Sequence, residues 1–161
     1  MIKEVSILYK SPVGMLKIAS KDEKIILIDP VSADETVNES SIEKNSNDYK
    51  LCIKAVNELE EYFEGKRKEF DLPINAEGTE FQMKVWKALC DIPYGETRSY
   101  SDIAKAIGNT KAVRAVGGAN NKNPIAIVVP CHRVIGKNGS MVGYGGGLPM
   151  KEYLLQLEKA L

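Results

Sequence analysis

The sequence predicts an α/β protein of the α+β kind, built in two parts: a small antiparallel sheet with one helix, then a helical domain. Two features predict it. Short β-branched runs separated by turn residues fill the first thirty positions, and helical spacing takes over beyond residue 78. Charge also divides unequally between the halves. Residues 1–79 hold 11 Lys/Arg against 16 Asp/Glu, a net of −5, whereas residues 80–161 hold 11 against 6, a net of +5. A neutral chain can thus carry a basic half able to meet phosphates, although an accident of composition would look the same.

The elements follow in order. Val5-Ser6-Ile7-Leu8-Tyr9 and Leu16-Lys17-Ile18-Ala19-Ser20 flank the turn signal Pro12-Val13-Gly14, and Lys24 to Ile28 supplies a third strand. Ser32 to Asp48 is polar and free of aromatics, which reads as a surface loop. Leu51, Ala55, Leu59 and Tyr62-Phe63 then recur at helical spacing until Gly65. Asp71-Leu72-Pro73 reads as a short extended piece before a linker, Ile74 to Gly78, so the expected domains are 1–76 and 77–161.

Thr79 with Gln82 three residues on is a capping box opening a helix from Phe81 to Cys90, which Pro93-Tyr94-Gly95 breaks. Ser99 caps a second helix ending near Ile107-Gly108, and Thr110 starts a third carrying Val113, Arg114, Val116 and Gly117. Two short helices joined by Gly108-Asn109-Thr110 have the length and turn of a helix-turn-helix. The second would present Lys111 and Arg114 beside the small residues Ala112, Ala115, Gly117, Gly118 and Ala119, which permit close approach to a partner. On that pattern alone an ordinary helical hairpin in a core is the better reading.

Composition narrows the classes. At 43% hydrophobic and 27% charged, the chain of 161 residues reads as soluble and globular. No apolar run approaches the ~18 residues a membrane span needs, and no secretory pattern opens the sequence. A cytoplasmic, reducing setting is therefore expected, in keeping with three widely spaced cysteines, Cys52, Cys90 and Cys131. His132 is the only histidine and no Cys-x-x-Cys occurs, so no metal site is expected.

The chemistry concentrates after Ile125-Ala126-Ile127-Val128-Val129-Pro130. This apolar stem buries itself and ends at Pro130, which fixes φ and delivers Cys131 beside His132. An adjacent imidazole can lower a thiol pKa or remove its proton, and the thiolate is the nucleophile. Cys52 and Cys90 occupy apolar helical positions and read as inert core thiols.

Pro130-Cys131-His132-Arg133-Val134, with Arg114-Ala115-Val116-Gly117-Gly118-Ala119 and Asn123-Pro124 upstream, resembles the O6-alkylguanine-DNA alkyltransferases, also called methylated-DNA–protein-cysteine methyltransferases. Phe81-Gln82-x-x-Val85-Trp86, Ile92-Pro93-Tyr94-Gly95-Glu96-Thr97, Ser99-Tyr100 and Gly143-Tyr144-x-Gly146-Gly147-Leu148 match as well. The resemblance covers residues 79–161 closely and the first half only in length and layout. It implies a winged helix-turn-helix-like C-terminal domain and a DNA-repair activity: transfer of the alkyl group of O6-methylguanine (and of O4-methylthymine as an open case) from double-stranded DNA to Cys131. The product is S-alkylcysteine, so each molecule reacts once, as a monomer, with no cofactor and no membrane.

Residue by residue, the resemblance implies these roles. Cys131 is the nucleophile, His132 its base and Glu158 the group orienting the imidazole, in the manner of hydrolase triads. Tyr100 assists nucleotide rotation and donates a proton to the leaving guanine; Asn123 braces the hinge. Arg114 occupies the space left by the extruded base, with Lys111, Ala115, Gly117, Gly118 and Ala119 against the minor groove. Tyr144, Val134, Gly145 and Gly146 line the pocket. Two alternatives of other classes stand beside this reading. One is a non-catalytic lesion-binding or regulatory DNA-binding module; the other is a thiol hydrolase, which would need an oxyanion hole for which the sequence gives no sign. Asn38-Glu39-Ser40 and Asn138-Gly139-Ser140 fit a glycosylation sequon without function in a cytosolic chain.

Overall fold

Strands β1 (Val5–Ser11), β2 (Gly14–Lys21) and β3 (Lys24–Pro30) form an antiparallel meander in the order β1-β2-β3, with Ile7 opposite Ile18 and Ile18 opposite Ile28. These relationships come from a computed structural model that describes residues 4–38, 43–139, 144 and 147–160. The chain divides into two units, Met1–Asn75 and Ala76–Leu161.

In the first unit, helix α1 (Asn47–Phe63) lies on the sheet and buries Cys52, Ala55, Leu59 and Tyr62 against Ile7, Leu16, Ile18 and Ile28. Each such aliphatic side chain contributes about 1.5–3 kcal/mol on leaving water. The helix begins inside the stretch expected to be loop. Ser46 caps it by accepting from the Tyr49 amide at 3.1 Å, and the polar first turn has no apolar period to announce a helix. That turn has a second task. Asp22 and Glu23, at φ 53° and 62°, take the left-handed conformation that the tight β2–β3 connection needs, without a glycine to ease it. Asp48 holds them by accepting from the Glu23 amide at 2.8 Å and the Ser20 hydroxyl at 2.6 Å, while Asn47 donates to the Glu23 carboxylate at 2.8 Å. The expected extended piece is present: the Ile25 amide donates to Pro73 and the Asn75 amide to Ile25, both at 2.8 Å, forming a parallel bridge between Ile25 and Ile74.

The second unit is helical. Helix α2 (Glu80–Leu89) opens with the expected capping box, in which Thr79 accepts from the Gln82 amide at 3.1 Å and Gln82 from the Thr79 amide at 3.0 Å. Gly78, just before it, packs so tightly on Trp86 that an added Cβ would lie 2.5 Å from the indole ring. Helix α3 (Tyr100–Ala106) is capped by Ser99 in the same reciprocal way with Asp102, and Gly108 at φ 77° turns the chain out of it. Helix α4 (Val113–Asn121) completes the helix-turn-helix and packs on α2 and α3. It starts later than expected. The Ala112 amide donates to Asn109 at 3.1 Å, closing a turn that holds Thr110 and Lys111 ahead of the helix, and no side chain caps the start.

A short parallel pair, β4 (Arg98–Ser99) with β5 (Val134–Ile135), ties α3 to the segment that follows Cys131. Helix α5 (Leu148–Leu157) closes the unit, burying Met150, Leu154 and Leu155. Among the described residues no helix is long and apolar enough to cross a membrane.

Candidate active site

The apolar stem is a knot of turns. Val128 N donates to Ala126 O at 2.8 Å across Ile127, whose φ of 73° is strained for a β-branched residue; full burial holds it there. Pro130 (φ −81°, ψ 63°) centres a second three-residue turn, closed by Cys131 N donating to Val129 O at 2.8 Å. The stem is braced by Asn123. Its Nδ2 lies 2.8 Å from Val129 O, 3.3 Å from Ile125 O and 3.2 Å from Cys131 Sγ, and its Oδ1 accepts from the Ile125 amide at 3.0 Å. One carboxamide therefore fixes the loop and touches the sulfur.

Cys131 opens a single 3₁₀ turn, Cys131–Arg133, and is buried. Burial raises its pKa, opposed by the Asn123 hydrogen bond, by the nearby Tyr144 hydroxyl and by the charge of Lys151. The resting sulfur is therefore a thiol, and a nucleophilic role would first require removal of that proton. His132, also buried, is pulled below its ordinary pKa by desolvation, against the pull of Glu158. A neutral imidazole facing a carboxylate carries its proton there. His132 Nε2 thus donates to Glu158 Oε2 at 2.7 Å, which leaves Nδ1 with its lone pair and, among the described residues, no partner.

Glu158 caps the C-terminal end of α5, and Arg133 grips it with Nε at 2.8 Å from Oε1 and Nη2 at 3.2 Å from Oε2. Arg133 Nη1 also donates to Ile92 O at 2.6 Å, and its guanidinium lies 5.8 Å from the centre of the Tyr94 ring. A bidentate arginine makes the carboxylate a rigid post for the imidazole. Lys151, likewise buried, donates to Val134 O at 2.5 Å; burial lowers its pKa to about 8, against the charge of Cys131.

Two tyrosines feel the charge a thiolate at Cys131 would carry. Burial raises the pKa of Tyr100 and raises that of Tyr144 well beyond the usual value, with Cys131 adding to both, so both phenols stay protonated. Val134 is buried directly after the turn. Gly145 and Gly146 lie outside the described residues, as do Ser140 and Glu39–Ser40 of the two sequons.

The surface of α4 offers Arg114, Ala115 and Gly118 to solvent, and nothing lies within 4 Å of where a Gly118 Cβ would stand. Gly117 turns toward Tyr100, 3.9 Å from an ideal Cβ, so its smallness serves ring packing as well. Two expectations need correction. Ala119 is buried, with its carbonyl accepting from Trp86 Nε1 at 2.9 Å, because the 3.6-residue period turns it inward to α2. Lys111 is exposed but stands in the turn before α4, not on the helix. The other thiols also differ from each other. Cys52 is a core thiol pushed up to about 12 by burial, whereas Cys90 caps α2 and is exposed as a residue rather than part of the core. No cluster of three metal-ligating side chains occurs among the described residues.

Two family models cover nearly the whole chain: the 6-O-methylguanine DNA methyltransferase ribonuclease-like domain over residues 5–76, and the DNA-binding domain of the same family over residues 80–160. The chain belongs to the 6-O-methylguanine DNA methyltransferase family. It is 49% identical over 153 residues to the methylated-DNA–protein-cysteine methyltransferase of Methanosarcina acetivorans, covering 94% of this chain and 96% of that one. A crystal structure of the Mycobacterium tuberculosis O6-methylguanine methyltransferase superposes with a TM-score of 0.83 at 43% identity, over 98% of this chain and 93% of that one. The M. tuberculosis OGT in complex with DNA matches with a TM-score of 0.82 at 45% identity, over 94% and 91%.

As a member of this DNA-repair methyltransferase family with a helix-turn-helix DNA-binding domain, the chain contains three site residues that sequence reasoning left out. Arg133 stood in the Pro-Cys-His-Arg-Val motif, yet nothing local names Glu158, 25 residues on, as its partner. Asn120 reaches the Cys131 carbonyl from α4 and Lys151 the Val134 carbonyl from α5, and a polar residue in a helical stripe gives no sign of its burial. Their one sequence signal is a polar side chain at an inward-facing helical position.

Proposed function

We propose that the protein repairs alkylated DNA by a single, stoichiometric transfer of the alkyl group from O6-methylguanine in duplex DNA to Cys131. What carries the reading is the line Cys131–His132–Glu158–Arg133. It places, next in sequence to a buried thiol, a neutral imidazole whose Nδ1 has no partner among the described residues and whose Nε2 is held by a carboxylate that Arg133 grips through two donors.

In the proposed reaction the nucleotide leaves the stack and enters the pocket beside Tyr144 and Val134, while Arg114 on the exposed face of α4 takes the place of the base. Cys131 loses its proton toward His132 Nδ1, and Glu158 stabilises the imidazolium that forms. The sulfur attacks the saturated carbon: a C–S bond forms, the C–O6 bond breaks, and its electron pair passes to the guanine. Tyr100, whose phenol burial keeps protonated, supplies the proton that lets the purine leave neutral. A thioether cannot be hydrolysed by the groups around it, so the reaction ends with S-alkylcysteine. Lys111 and Arg114 meet the backbone and the groove. The three free cysteines support a reducing, cytoplasmic setting, and we read the chain as a monomer there.

The test is Cys131→Ala with duplex DNA containing O6-methylguanine. Repair is expected to vanish while affinity for the duplex persists; repair surviving in this variant would sink the assignment of Cys131.

A further inference from the structure

Cys131 is held at its carbonyl as well as at its sulfur. Its oxygen accepts from the Val134 amide, which closes the 3₁₀ turn, and from Asn120 Nδ2 at 3.2 Å. Asn120 occupies the last turn of α4, is 1% exposed, and among the described residues makes no side-chain hydrogen bond except this one; its Oδ1 has no partner. The orientation of the amide is forced, because a carbonyl can only accept, so nitrogen must face it. A buried carboxamide with a single bond, made to the peptide joining nucleophile and base, calls for an explanation.

The neighbours of Asn120 supply one. Immediately before it, the Ala119 carbonyl is anchored by Trp86 Nε1 at 2.9 Å, which fixes the end of α4 to α2. Immediately after the helix, Asn123 N donates to Asn120 O at 3.4 Å, and Asn123 in turn donates to Cys131 Sγ at 3.2 Å. The end of α4 therefore reaches Cys131 by two routes, one to its carbonyl and one to its sulfur. The other end of the same helix carries exposed Arg114.

We infer that Asn120 is a positioning residue that makes α4 and the Cys131–His132 peptide one body, so that seating α4 on DNA sets the line of attack of the sulfur. This rests on the proposed alkyl transfer. Without the Asn120 bond, Cys131 keeps its turn and its Asn123 contact but loses the tie from its carbonyl to the helix.

The experiment compares Asn120→Leu, similar in volume and lacking donor and acceptor, with Asn120→Asp, similar in shape and lacking the donor. Single-turnover transfer from an O6-methylguanine duplex is followed against protein concentration. The maximal rate constant is expected to fall roughly tenfold or more in both variants, with half-saturation unchanged, since misplacement of a reacting group by about 1 Å costs that much. A fold-stabilising role alone would lower the unfolding temperature and leave the folded protein's rate constant intact, and that outcome overturns the inference.

A second readout does not need activity or both variants. His132 is the sole histidine, so labelling cysteine carbonyl carbon and histidine nitrogen isolates the Cys131–His132 peptide as one NMR signal. Adding unmodified duplex should move this signal in the unaltered protein and much less in either variant that folds. Equal movement, or none in the unaltered protein, overturns the coupling. If the unaltered protein binds duplex and shifts this signal yet transfers no alkyl group, the functional reading fails while the coupling stands.

Discussion

His132 Nε2 lies 2.7 Å from Glu158 Oε2, with both side chains fully out of solvent and Arg133 closing on the same carboxylate from the other side. A contact this short between buried groups fixes the imidazole's tautomer: the proton sits on Nε2, and the nitrogen left with an unshared lone pair is Nδ1.

Glu158→Gln should therefore be costly twice over. It strands the buried Arg133 guanidinium without its counter-charge, a loss of about 3–5 kcal/mol in comparable buried pairs. It also exchanges an acceptor for an amide that can turn its NH2 toward His132. Denaturant unfolding measures the first effect and single-turnover transfer the second. A variant of unchanged stability would contradict the bidentate pairing.

The stability of the protein should depend on pH through His132. Burial holds its folded pKa below its ordinary 6.5, so the unfolded chain binds that proton more readily. Unfolding then takes up a proton between the two values, and stability present above 6.5 is lost as pH falls through the folded pKa. Calorimetric unfolding in that window should show the slope, and His132→Gln should remove it, since no other histidine exists. Transfer should persist through that window and fail only as pH falls through the folded pKa, because a protonated Nδ1 cannot accept from Cys131. A rate that stays level while His132 protonates would exclude it as the base.

Arg114→Ala should separate two substrates. Arg114 is exposed on α4 and forms no ion pair shown among the described residues, so its removal leaves the core untouched. Duplex repair should slow by roughly tenfold or more, because extrusion of a stacked base costs a few kcal/mol that the side chain offsets. Attack on free O6-benzylguanine needs no extrusion and should be nearly unaffected. Equal losses on both substrates would remove the base-replacing role.

Much of this site was legible in the sequence where the signal is local. The Thr79–Gln82 and Ser99 caps, the apolar stripe of α1 and the Cys131-His132 pair lie within a few residues of what they act on. The start of α4 was misplaced because Ala112 offers no capping side chain, so the helix begins where the Asn109 turn releases it. Ile125 to Val129 carried β-branched residues that promise extended backbone, yet burial holds Ile127 at positive φ. Arg133, Lys151 and Asn120 act across 25, 17 and 11 residues, distances at which residue type says nothing about partners. Cys90 stands at the C-cap of α2, at the edge of its apolar stripe, where spacing alone does not decide exposure.

The most direct test of the central claim is the intact mass of the protein after incubation with duplex DNA carrying one O6-methylguanine, followed by peptide mapping. A stable gain of one methylene mass on Cys131, saturating at one per molecule, is the expected result. A folded, reduced protein that gains no mass, or gains it on another residue, would contradict single-turnover transfer to Cys131.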